Sequence, residues 1–278
     1  MKKISRRQFF KIAGWTGALG LIASYPFFIE RYIVQTNICR IPVPNLPEEF
    51  TGLRIVHLTD LHYGFLVPQF FIKGIIDKGN DIDCDMIVCT GDYVHEFKST
   101  RQIDAVWPLM KKLKAPLGVY SVLGNHDHWA DTARSEYWLK KSGQDLHHKV
   151  VPIERNGSKL WLAGAGDFWE DDRGIAALLR DVPESDCKIV LAHNPDTADT
   201  NFATRVDLFI SGHTHGGQVE IPFVGTPILP VQNKNYSSGL KKSLRGINVF
   251  ISRGIGWAIL PIRFNCFPEI AVLELVPG

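Results

Sequence analysis

Short β-branched apolar runs alternate along the chain with stretches whose apolar residues recur at helical spacing. Residues 54–59, 86–90, 118–123, 188–192, 207–211, 248–252 and 270–275 are rich in Val, Ile and Leu, and most give way to polar or glycine residues. That pattern predicts buried strands. Between several of them, residues 68–78, 101–113, 133–142 and 173–181 carry amphipathic patterns that predict helices. The alternation implies α/β architecture with strands covered on both faces. From Gln218 onward strands and turns dominate, so two mixed β-sheets or a sandwich are expected rather than a pure doubly wound sheet. Pro42, Pro44 and Pro47 fall within residues 37–50, which suits an extended connector or an edge strand. The expected organisation is a leader or anchor over 1–30, a connector over 31–52 and one domain over 53–278.

Composition narrows the class. The 278 residues are 45% apolar and 22% charged, with 24 Gly and 16 Pro scattered and no internal repeat. Disordered, collagen-like and coiled-coil chains are excluded. The five cysteines, Cys39, Cys84, Cys89, Cys187 and Cys266, form no Cys-x-x-Cys pair. They read as free thiols acting as small apolar groups, with Cys84 and Cys89 on opposite faces of one strand.

Charge is uneven. Lys2, Lys3, Arg6, Arg7 and Lys11 open the chain without an acid, and setting those five aside from 31 leaves 26 basic against 29 acidic residues. A body with that balance lacks the basic excess that draws nucleic acid, so no nucleic-acid partner is expected. The segment Ser5-Arg6-Arg7-Gln8-Phe9-Phe10-Lys11 resembles a twin-arginine translocation signal. The next eighteen residues, 12–29, are uncharged and only moderately apolar, as in a signal h-region. Ala18-Leu19-Gly20 is the best small-x-small cleavage site, but it falls early, so the segment is either cleaved or kept as a membrane anchor. The resemblance implies the twin-arginine export machinery as a partner and a cofactor-bearing enzyme in the periplasm or at the outer face of the cytoplasmic membrane. An ordinary basic amphipathic helix is the alternative.

Five polar clusters follow the predicted strands: Asp60-Leu61-His62, Gly91-Asp92, Gly124-Asn125-His126-Asp127, His193-Asn194 and Gly212-His213-Thr214-His215. Ligand sites in open α/β sheets assemble at strand ends, so clusters distant in sequence converge there. Asp60, His62, Asp92, Asn125, His193, His213 and His215 supply oxygen and imidazole donors suited to divalent Zn, Mn or Fe.

In this order and spacing the clusters resemble the calcineurin-like metallophosphoesterase superfamily over residues 53–278. The resemblance implies an αββα sandwich and two divalent metal ions. It assigns Asp60, His62 and His215 to one ion and Asn125, His193 and His213 to the other, with Asp92 bridging. It further implies a metal-activated hydroxide attacking phosphorus, His126 as the catalytic histidine at the leaving oxygen, and Asp127 orienting its imidazole. Residues 252–256 and 263–269, with Gly216-Gly217-Gln218, resemble a narrower branch, exported bacterial phosphodiesterases of the YkuE and YaeI type.

Other residues leave alternatives open. His95 lines a substrate pocket or lies on the surface, and Arg253 reaches a substrate phosphate or forms a structural ion pair. Asp167 reads as a turn residue, and His147 and His148 as solvated. Phe65, Leu66, Phe70 and Phe71 receive an acyl chain or belong to a helix packed on the core. The expected activity is hydrolysis of a phosphodiester or pyrophosphate, with a lipid-linked or envelope precursor as first substrate. A phosphatase or nucleotidase on soluble nucleotides is the alternative, and a non-catalytic metal-binding scaffold the third.

Overall fold

A computed structural model describes residues 5–64 and 66–278. Helix α1 (Arg6–Phe28) precedes strand β1 (Gln35–Val43). The first sheet region continues with β2 (Arg54–Leu58), α2 (Gln69–Asp81), β3 (Met86–Cys89), α3 (Thr100–Met110), β4 (Val119–Ser121) and α4 (Asn125–Ser142). The second comprises β5 (Lys149–Arg155), β6 (Ser158–Gly164), α5 (Ile175–Leu178), β7 (Lys188–Leu191), β8 (Leu208–Ser211), β9 (Gly239–Lys242) and β10 (Asn248–Ile251). Strand β11 (Glu269–Pro277) returns to the first sheet.

The sheets are both mixed. One runs β1-β11-β2-β3-β4, antiparallel only between β11 and β2; the other runs β5-β6-β7-β8-β10-β9, antiparallel at its two edge pairs. Ile55, Val88 and Leu273 of the first sheet meet Leu162, Ile189 and Phe250 of the second in a buried layer between them. On the outer face of the first sheet, Val56, Ile87 and Val272 pack against Ile76, Ile103 and Met110 of the helices. Ile175, Leu179 and Phe202 cover Val190 and Phe209 on the other side. The result is an αββα sandwich, and its two-sided burial explains the nearly unbroken apolar strands.

Several elements differ from the sequence expectation. Residues 35–43 take the edge-strand form, in parallel register with β11. The helix expected over 133–142 is the part of α4 beyond a break at Asp131 (φ −177°, ψ 105°); an earlier turn starts at Asn125, where side-chain hydrogen bonding replaces apolar periodicity. The helix expected over 173–181 shrinks to α5. Strands β5 and β6 were not signalled by the apolar runs, although their two-residue turn, Asn156 (φ 50°) and Gly157 (φ 87°), is a type I′ hairpin sequence. Cys84 precedes β3 rather than sharing it with Cys89, and all five thiols are free.

Helix α1 is capped by Ser5 and Gln8 and exposes Phe9, Phe10, Trp15, Leu21 and Phe28. Among the described residues no helix is long and apolar enough to cross a membrane. Just after it the chain is tied to the body: Cys266 donates its amide to Glu30 at 3.1 Å, and the Arg31 guanidinium lies 4.4 Å from the Trp257 ring centre.

Candidate metal centre

The loops after β2, β3, β4, β7 and β8 meet at one end of the sandwich. Their turns are tight enough that Asp60, His62, Asp92, His213 and His215 all adopt left-handed backbone, with φ from 45° to 69°. Each such non-glycine residue costs on the order of 1–3 kcal/mol and persists because neighbouring contacts over-determine it. Here the Asp60 amide donates to Gly91 O and the His62 amide to Asp92 O, both at 3.0 Å. Gly91 (φ 95°) lets two loops touch: a Cβ there would lie 2.3 Å from the Gly124 nitrogen.

His62, His95 and His126 bring donor atoms within 4.8 Å of one another on the side of the first sheet, and two principal groups do the same: Asp60, His62 and His215, and Asp92, His193 and His213. Both draw on both sheets. Asp92 Oδ2 stands between the groups, 3.4 Å from His62 Nε2 and 3.3 Å from His193 Nε2. His62 Nε2 is 3.0 Å from His215 Nε2, and His213 Nδ1 is 3.1 Å from His193 Nε2. The remote nitrogens face carbonyls where these are present: His193 Nδ1 lies 2.7 Å from Thr90 O and His213 Nε2 lies 3.0 Å from Pro230 O. Such contacts fix the tautomer that leaves the inner nitrogen free to ligate.

The charge pattern is that of a ligand shell. Burial lowers His62, His213 and His215, the second to about 3, so these rings are neutral. Burial opposes ionisation of Asp92, but His193, His126 and His62 outweigh it and hold the carboxyl well below its usual range. Conversely, Asp92 overcomes the burial of His193 and pushes it up to about 10. Burial raises Asp60 to about 6. Asn125 Oδ1 is buried without a hydrogen-bond partner, an acceptor aimed at nothing the protein supplies. An oxygen and imidazole donor set with an orphaned acceptor fits divalent cations.

The calcineurin-like phosphoesterase family matches residues 53–217. The chain belongs to this family. It is 32% identical to the uncharacterized metallophosphoesterase YkuE of Bacillus subtilis (strain 168), over 99% of each chain. It is 31% identical to the phosphodiesterase YaeI of Escherichia coli (strain K12), covering 98% of this chain and 100% of the other. The UDP-2,3-diacylglucosamine pyrophosphatase LpxG of Chlamydia trachomatis serovar D is 26% identical, covering 83% and 86%. The protein is therefore a metallophosphoesterase, a hydrolase of phosphoric ester bonds.

Around the centre of this metallophosphoesterase, the remaining expected residues separate. His126 is half-buried beside His62, ring centres 4.6 Å apart, and its amide donates to Asp92 Oδ1 at 2.9 Å. Its Nδ1 lies 2.8 Å from the carbonyl of His95, so His95, not Asp127, orients the ring. Asp127 instead accepts three backbone amides, from Asp92 (2.8 Å), Gly124 (2.9 Å) and Tyr93 (3.0 Å). Burial, then the neighbouring Asp92, raises Asp127 to about 8. His95 belongs to the site, stacked on His126 at 5.3 Å. Arg253 takes the ion-pair form, 3.2 Å from Glu269 Oε1, with its amide on the same carboxylate.

His147 and His148 are not solvated: both face Asp171 Oδ2, at 2.7 and 2.8 Å. Asp167 makes the expected turn, Oδ1 accepting from Trp169 and Glu170, while its Oδ2 is buried and unpartnered. Of the apolar patch, Leu66 and Phe70 are exposed and Phe71 packs on Tyr32 and Trp257, whereas Phe65 lies outside the described residues. The apolar pattern did not single out an aromatic shelf. Phe97 stacks on Trp129 at 4.9 Å and Trp129 on Trp169 at 6.3 Å, between His126 and His213. Trp129, three residues past His126, is the one sequence hint of it.

Proposed function

We propose a binuclear metal-dependent phosphodiesterase that hydrolyses a phosphodiester or pyrophosphate in a lipid-linked envelope precursor, exported by the twin-arginine route and working at the outer face of the cytoplasmic membrane. The observation that carries the binuclear assignment is Asp92 Oδ2 set between His62 and His193, one from each donor group. Asp60, His62 and His215 would hold one ion; Asn125, His193 and His213 would hold the other; Asp92 would serve both. When bound, a pair of divalent cations makes water a nucleophile near neutral pH and takes up charge on phosphoryl oxygens. The protein's own residues supply the rest. His126, its Nδ1–H donated to the His95 carbonyl, turns Nε2 towards the leaving oxygen; when the ring is protonated at both nitrogens it gives the Nε2 proton there and returns to the neutral Nδ1–H form. Trp129, locked by its Nε1–H donating to Glu170 at 2.7 Å, walls the site beside His126.

Three features support an apolar substrate at a membrane. Phe223, Val224, Ile228, Ile259 and Leu260 are exposed. Arg263 N donates to Pro26 O and Glu220 N to Phe264 O, so these tips lie beside the end of α1. A relative is named for a diacylated sugar nucleotide pyrophosphate. The shelf of Phe97 and Trp129 also suits a nucleobase, which favours soluble nucleotides as the second substrate class.

The test is the protein from about residue 31, stripped with chelator and resupplied with Mn, Zn or Fe. Restored cleavage of aryl phosphodiesters that disappears in Asp92→Ala is expected, together with higher activity on diacylated than on deacylated pyrophosphate substrates. Equal activity on deacylated nucleotides would favour the second class, and a metal-restored Asp92→Ala would overturn the binuclear assignment.

A further inference from the structure

From their geometry we infer that His128, His147, His148 and Asp171 form a separate zinc-binding site, outside the two donor groups described above. The residues come from three places: His128 from the first turn of α4, His147 and His148 from the approach to β5, and Asp171 from the loop after β6. His128, His147 and Asp171 bring donor atoms within 4.8 Å of one another. The side chains of His128 and His147 are 4% and 5% exposed, while His148 at 15% and Asp171 at 22% form the solvent side of the cluster.

The hydrogen bonding leaves one contact that a cation would satisfy, beside the Asp167 amide that Asp171 Oδ1 already accepts at 2.6 Å. Thr132 gives its hydroxyl proton to the His128 carbonyl, so its oxygen accepts from His128 Nδ1 at 3.3 Å. That tautomer turns a bare Nε2 lone pair towards Asp171 Oδ1, 3.5 Å away, and Nε2 is buried with no hydrogen-bond partner. A lone pair facing a carboxylate is repulsive unless a proton or a metal stands between them. Asp171 Oδ2 meanwhile collects His147 and His148 at 2.7 and 2.8 Å. Ligands about 2.0–2.1 Å from a tetrahedral zinc are separated by about 3.3 Å, so small outward shifts convert this cluster into a three-imidazole, one-carboxylate shell. The long 3.4 Å contact from Leu123 N to His147 Nδ1 would be given up in the process.

Gly166 makes room for the cluster. A Cβ there would meet His148 Cε1 at 2.4 Å and Asp171 Oδ1 at 2.8 Å. His148 also lines a cleft of about 170 Å³ with Gly166, Asp172 and Arg173, which gives an ion a route from solvent. Three imidazoles and one carboxylate select a borderline divalent ion over calcium or magnesium. A bound ion would pin the turn carrying Asn125 and His126 to the loop carrying Trp169.

The experiment is zinc content per chain after loading with excess zinc and desalting, for the full chain and three variants. Wild type should hold about three ions and Asp171→Asn about two, since an amide keeps the shape but neither the charge nor the second oxygen. Gly166→Ala, which displaces the cluster without replacing a ligand, should also hold about two, and Asp92→Ala about one. Cobalt added to Asp92→Ala should give the intense visible bands of a four-coordinate site, and Asp92→Ala combined with Asp171→Asn should not. Equal zinc in wild type, Asp171→Asn and Gly166→Ala would overturn the inference and leave an imidazole–carboxylate hydrogen-bond cluster. Unchanged zinc in Asp92→Ala alone would instead count against the binuclear centre.

Discussion

The carboxylate of Asp127 receives the backbone amide of Asp92 at 2.8 Å, so the central carboxylate is aimed by a neighbour that belongs to none of the donor groups. With Gly124 and Tyr93 also donating to it, Asp127 fastens the loop after β3 to the start of α4. Asp127→Asn turns an NH2 group against at least one of these amides. It should lower unfolding free energy by about 1–3 kcal/mol, the cost of an unsatisfied buried donor, and weaken metal retention. Denaturant titration paired with metal analysis checks both.

His126→Ala should keep its metal, because His126 belongs to neither principal donor group. Turnover should fall about 10²- to 10⁴-fold, the usual contribution of a positioned acid or base. The deficit should shrink with a strongly acidic phenol as leaving group, which departs without a proton. A variant as fast as wild type on a poor leaving group would remove His126 from the mechanism.

Metal loading should strengthen as pH rises. In the metal-free protein His193 is pushed up to about 10 against an ordinary 6.5, so it is protonated at neutral pH and a cation must displace that proton. Calorimetric titrations near pH 7.5 in buffers of different ionisation enthalpy should show release of about one proton per chain. The same shift acts on stability with the opposite sense. A raised value favours the folded, chelated protein fully below pH 6.5, and the gain is lost as pH approaches 10. Melting temperatures of chelated protein should therefore drop across that interval.

Gly91→Ala should destabilise by about 2–4 kcal/mol, combining left-handed backbone with overlap. The overlap is with the Gly124 backbone, 2.3 Å from the new Cβ, and backbone cannot swing aside as a flexible side chain would. Gly52→Ala, also at positive φ but with nothing within 4 Å of its Cβ, isolates the conformational part. The difference between their unfolding free energies measures the loop contact.

Most of the centre was legible because its donors follow β-branched runs and therefore sit at strand ends, where short side chains converge regardless of sequence distance. What pattern could not reveal was partnership. Asp127 and His126 are adjacent, and adjacency suggested a hydrogen bond, but consecutive residues of a helical turn point apart. The ring of His126 instead met a carbonyl thirty-one positions away. His147 and His148 lie in a polar stretch, and nothing local betrays that Asp171 folds back over them. For Arg253 the sequence left a phosphate contact and an ion pair equally open, because the partner that decides for the ion pair, Glu269, arrives only with β11. The hairpin of β5 and β6 was overlooked for a different reason: Lys149, Pro152 and Glu154 interrupt its apolar face, and the Asn-Gly turn was the stronger clue.

Each principal donor group spans both sheets, Asp60 and His62 facing His215, and Asp92 facing His193 and His213. Cations held there would be rivets joining the two halves at one end of the sandwich, beyond the apolar layer the sheets share. A fragment bearing a single sheet contains neither of these two groups complete, so binding at them would belong to the closed sandwich and vanish as the halves part. Occupancy thus reports, ion by ion, that the two sheets have found each other.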